Sequence, residues 1–140
     1  MKAVLRPQLA RLASRAGLRL ERWPEGTVRL TLAESESPAD VTPEWFQKHA
    51  KSPVYLVGRE KSPPLANVTR KREKTRFPLL TKHRVVLLDS GAEVSAVTKA
   101  ILAAGWCVDN DAYLFPAEGG WLGYVGHHNE LDVYVPRRAS

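Results

Sequence analysis

Two groups of residues in this 140-residue chain have types and spacings suited to chemistry. The first is Gly126-His127-His128-Asn129-Glu130, which puts two imidazoles and a carboxylate in one short turn. An imidazole changes charge near neutral pH, and a carboxylate can carry the complementary proton. His127 or His128 with Glu130 therefore makes a general base and acid, with Arg137 or Arg138 as a cation for a phosphate. That set suits a metal-independent ribonuclease. Adjacent histidines also bind metals, but a tetrahedral site needs further ligands, and Asp109 and Asp111 reach it only if the hairpins converge. A metal nuclease would also carry a later Glu-x-Lys, which does not follow Val135, so no metal is expected. The plainer reading is a turn with exposed histidines.

The second group is Val86-Leu87-Leu88-Asp89-Ser90-Gly91-Ala92-Glu93-Val94-Ser95. It resembles the active-site segment of retroviral-type aspartic proteases, where apolar residues lead into Asp-Ser/Thr-Gly-Ala. The resemblance implies that Asp89 is one of two carboxylates, one from each of two chains, sharing a proton to activate water. Ser90 and Gly91 would support it. No apolar-Gly-Arg/Asn segment follows to brace such a site. The same residues also read as a strand running into a helix, with Ser90 and Glu93 at capping-box spacing. The chain has no Walker-type phosphate loop, no dinucleotide fingerprint and no zinc-spaced Cys/His set, so ATP-driven and NAD-dependent activities are not expected, nor is a cofactor.

Charge points elsewhere. The formal net charge is +6, but residues 1–88 carry +10 and residues 89–140 carry −4. Residues 46–88 alone hold 11 basic and 2 acidic groups. Extended, Val68 to Phe77 puts Arg70, Arg72, Lys74 and Arg76 on one face, where they repel one another unless an anion or water separates them. A basic surface over residues 48–84 attracts polyanions. Arg70, Lys71, Arg72, Lys74, Arg76, Lys82 and Arg84 are the expected contacts, and a merely solubilising face is the alternative. The acidic C-terminal part is suited to meeting a basic protein patch, which would make the chain an adaptor.

These residues need elements to hold them. Pro7 and Gly17 bracket a helix whose Leu5, Leu9, Leu12, Ala13 and Ala16 form an apolar stripe, with Arg11 and Arg15 on another face. Residues 18–23 and 27–32 alternate about Pro24-Glu25-Gly26 as a hairpin. Glu34 to Asp40 reads as a loop. Thr42-Pro43 opens a short helix over 44–51, with Trp45 and Phe46 as packing anchors. Val54 to Val57 is a strand. Residues 84–108 form a strand–helix–strand unit, ending in Trp106-Cys107-Val108. Tyr113–Phe115, Trp121–Val125 and Leu131–Val135 then make an antiparallel meander, with Leu131, Val133 and Val135 facing the core and Glu130, Asp132 and Tyr134 the other side.

The expected fold class is α+β: an antiparallel sheet (a mixed one is the alternative), about three helices and a C-terminal β-meander, in a single domain over 1–140. One cysteine, Cys107, rules out an intrachain disulfide and makes a reducing cytoplasm the default compartment. No apolar run approaches the ~20 residues of a membrane span, so no membrane partner is expected. Binding is favoured over catalysis. The expected function is a small basic regulatory protein, active for instance in transcription, that docks on nucleic acid or on an acidic surface of a nucleic-acid-processing machine such as RNA polymerase or a ribosome.

Overall fold

The computed structural model describes residues 2–4, 8–22, 28–38, 41–50, 53–59, 83–103, 111–126 and 130–137. Nine strands and three helices occur among them: β1 Lys2–Val4, α1 Leu9–Arg15, β2 Arg19–Arg22, β3 Val28–Thr31, β4 Ser35–Glu36, α2 Trp45–His49, β5 Val54–Arg59, β6 His83–Leu88, α3 Gly91–Ala103, β7 Ala112–Pro116, β8 Leu122–Val125 and β9 Leu131–Pro136. Seven strands form one sheet in the order β1-β6-β5-β7-β8-β9-β4, and β2 pairs with β3 separately. Every pairing is antiparallel. The class is α+β with a β7–β8–β9 meander at the C-terminal end.

Strand alternation divides the core into two layers. On one face Val54, Leu56, Val86, Leu88, Ala112, Leu114, Val125 and Val133 pack under α2 and α3. On the other face Val57, Val85, Phe115 and Leu122 pack under α1 and the β2–β3 hairpin. Because successive strand side chains point to opposite faces, β5, β6 and β7 must be apolar on both sides. That is why Val85 to Leu88 forms an unbroken apolar run.

The helices follow their sequence signals. Gly17 adopts φ +78° just past α1, and the Leu18 N–H donates to the Ala13 carbonyl, closing the helix as its glycine predicts. Arg11 and Arg15 are exposed, as their face predicts. In α2, Phe46 is fully buried and Trp45 packs edge-on to it and to Trp121 at 5.5 Å. Both are packing anchors.

Three local expectations need correction. The segment 34–40 is not all loop, since Ser35 and Glu36 pair with Val135 and Pro136 as an edge strand. Glu34 enables this by taking φ +51° and accepting the Arg137 N–H through its carbonyl. The α2 helix is shorter than 44–51, and Thr42 does not cap it through its side chain. Instead the Thr42 carbonyl accepts the Trp45 N–H at 2.9 Å, and the hydroxyl bonds the Glu44 carboxylate. Residues 2–4, unassigned from sequence, form the sheet edge beside β6. The predicted strand Trp106–Val108 lies outside the described residues. No helix among the described residues is long and apolar enough to cross a membrane.

Candidate functional site

The sheet has two ends, and the chemistry-bearing residues divide between them. Arg59 faces His83, Gly58 faces Ala112, and Val125 faces Leu131 at one end. The segment 60–82 therefore leaves and re-enters the fold between two neighbouring central strands. It carries 7 of the basic groups and 2 acidic ones. Its Arg70, Lys71, Arg72, Lys74, Arg76 and Lys82 lie outside the described residues, as do His127 and His128. Arg84, next to His83, is half-buried with its Nε inside the protein, and it interacts within the molecule. Lys48 sits on α2 next to Gln47, whose backbone meets Gly91 just past the end of β6, so it stands at the sheet end opposite Arg59. Lys48 and Arg59 thus stand at opposite ends of the sheet, and in the sequence the β5–β6 connection carries most of the basic groups of 48–84.

The β8–β9 connection, which carries His127 and His128, opens at that same end. The Gly126 N–H donates to the Glu130 carbonyl at 2.9 Å and closes it. A Cβ on residue 126 would collide with the Glu130 side chain, so glycine there lets that carboxyl pack against the backbone of residue 126. Glu130 is exposed.

Beside it lies a cluster that sequence reading only half found. Glu130, Asp132 and Tyr134 do share a face, but that face is not simply solvent, for Tyr134 packs on the α1 layer of the core. Register brings Tyr113 opposite Tyr124 and Tyr124 opposite Asp132, and the two phenol rings lie 5.1 Å apart. The Tyr124 hydroxyl donates to the Asp111 carboxylate. Burial holds all three phenols above the ordinary tyrosine range, with Asp111, Asp132 and Glu130 adding to the effect and Arg29 of β3 opposing it at Tyr113 and Tyr134. Such phenols donate hydrogen bonds and do not act as bases near neutral pH. Tyr113 and Tyr124 could be found from sequence by their alternation with the buried Leu114 and Val125. Their meeting required the strand register.

Asp89 stands at the opposite end of the sheet from Glu130 and four strand positions away, after β6 where Glu130 precedes β9. It is exposed. Ser90 accepts the Glu93 N–H at 3.1 Å and so caps α3. Gly91 lets two backbones approach, since a Cβ there would sit 2.8 Å from the Phe46 carbonyl oxygen. The Asp-Ser-Gly triplet thus caps one helix and seats it on another. Among the described residues no group of three or more His, Cys, Asp or Glu could hold a metal.

Comparison with known proteins finds no matching family model, no matching curated protein and no matching solved structure.

Proposed function

We propose that the chain is a non-enzymatic binding protein that docks on nucleic acid, or on an acidic surface of a machine that processes it, through the basic segment 60–82. One observation carries this reading. Arg59 and His83 are register partners in adjacent strands near the sheet centre, so their backbones lie about 5 Å apart. A segment with 7 cations and 2 anions is tethered at both ends to that point. Both ends of that charged segment join the sheet at the same end.

Lysines and arginines in such a segment contact phosphates or carboxylates. They give affinity and orientation more than sequence choice. Binding to RNA or to duplex DNA is expected at low salt, weakening steeply as salt rises. A titration at low ionic strength that detects no affinity for either polymer would move the reading to a protein partner.

The shared sheet end also supports a second reading. The connection that carries His127 and His128 and the basic segment both join the sheet at the end where β7 starts, and a ribonuclease would hold a phosphodiester on those cations with the imidazoles and the Glu130 carboxylate as base and acid. Incubation with RNA, with and without a chelator, separates the two. Intact RNA supports the binder. Chelator-resistant cleavage that disappears in His127→Ala and His128→Ala would replace it with a ribonuclease.

A further inference from the structure

Among the described residues the far edge of the sheet is incompletely covered. The hydrogen-bonded pair Gly126–Glu130 sets the phase of the β8–β9 ladder, so Tyr124–Asp132 and Leu122–Tyr134 are also bonded pairs. The main-chain groups of the intervening residues Leu131, Val133 and Val135 must then point away from β8. At the C-terminal end of β9 this is what is found, for Val135 faces Glu36 and the Arg137 N–H bonds the Glu34 carbonyl. The same register continued would set Pro38 opposite Val133. Proline has no N–H to give, and β4 stops at Glu36. Among the described residues the N–H and C=O of Leu131 and Val133 meet no partner strand.

We propose that this open stretch of β9 takes up an extended peptide whose residues alternate between basic and apolar, by strand addition. The open main-chain groups supply the ladder bonds, and the two faces of β9 set the alternation. On the α3 side an added strand would lie beside Leu131, partly buried, and Val133, buried, both apolar. On the other side it would lie against Asp132 and Tyr134, with Glu130, Tyr124 and Asp111 adjoining. Among the described residues three carboxylates there outnumber the one guanidinium, that of Arg29, that reaches the tyrosines. A lysine or arginine side chain laid over phenol rings beside carboxylates gains both charge pairing and cation–π contact. An acidic strand would meet like charge. None of the residues named for this surface belongs to the segment 60–82, so polyanion binding and peptide binding are tested with separate ligands and separate variants.

The test uses the full chain and three synthetic peptides: one alternating valine with lysine, one alternating valine with glutamate, and the lysine peptide N-methylated on alternate amides. The lysine peptide should bind and slow hydrogen exchange at the Leu131 and Val133 amides. N-methylation on the pairing edge should abolish binding without any change to the protein. Glu130→Lys with Asp132→Lys should weaken it about tenfold or more, since rim and edge charges select the partner. Equal binding of the N-methylated peptide would overturn strand addition. Equal binding of the glutamate peptide would overturn the basic partner. No binding by any of the three would overturn the proposal outright.

Discussion

Glu44 and Lys99 tie α2 to α3 across 2.8 Å, and both side chains are more than half exposed. The Lys99 ammonium, a backbone N–H and the Thr42 hydroxyl hold the Glu44 carboxyl down to about 2. A lowered carboxyl favours the folded state above the unfolded value of 4.5, and that contribution disappears as pH falls towards 2. Exposed pairs of this kind are worth little in stability, so titration is the sensitive readout. In Lys99→Ala the Glu44 carboxyl resonance should titrate closer to 4.5, while the wild type stays ionised to lower pH. An unchanged midpoint would deny the pair any role. At the other extreme, Tyr124 is raised, so the unfolded chain releases its phenol proton first and folding stability falls as pH rises above the usual tyrosine range. Phenolate absorbance should show Tyr124 ionising after an exposed tyrosine would. In Asp111→Asn, with one raising influence removed, it should ionise earlier.

At the scale of elements, the contact between α2 and α3 is the most exposed to a single substitution. Gly91→Ala puts a methyl 2.8 Å from the Phe46 carbonyl and 3.0 Å from the Gln47 Cα, both backbone atoms that cannot swing aside. Parting the two helices should cost about 1–3 kcal/mol. Phe46→Ala should cost about 3–5 kcal/mol, because the ring is fully buried against Trp121 and Gly123. Denaturant midpoints at unchanged m measure both. If Gly91→Ala were neutral, the glycine would not be serving close approach. Much of this level was legible in the chain. Gly17, the Ser90–Glu93 spacing, the Val85–Leu88 run and the alternation after Leu131 each state a local backbone preference, and local preference decided those elements. What escaped was decided by pairing. Lys2–Val4 and Ser35–Glu36 have too few residues to show a period, and they are strands only because β6 and β9 offer edges. Thr42 looked like a cap because its type and place fit one, but a nearby carboxylate competes for its hydroxyl.

For the molecule as a whole, charge is organised by topology. The segment that holds most of the positive excess is inserted between the central strands β5 and β6, while Asp111, Glu130 and Asp132 line the meander at the same end. The excess was readable from sequence. The point where its segment joins the sheet was not, because that is set by the β5–β6 register, and Lys48, near in the chain to Arg59, is carried by α2 to the other end of β5. The acidic cluster was half readable: one strand showed Glu130, Asp132 and Tyr134 together, and three strands were needed to add Asp111, Tyr113 and Tyr124. An arrangement with cations on one connection and carboxylates beside an open strand suits an adaptor between a polyanion and a basic peptide. The most direct test of the polyanion half compares the wild type with a variant carrying Arg70→Gln, Lys71→Gln, Arg72→Gln, Lys74→Gln and Arg76→Gln. Affinity for duplex DNA is measured against salt concentration. If the segment meets phosphates, the wild type binds with a steep negative slope of log affinity on log salt, each phosphate contact adding about one to it. The variant should lose most of that slope at an unchanged melting temperature. Equal slopes in the two proteins, or no binding by the wild type at low salt, would contradict the account.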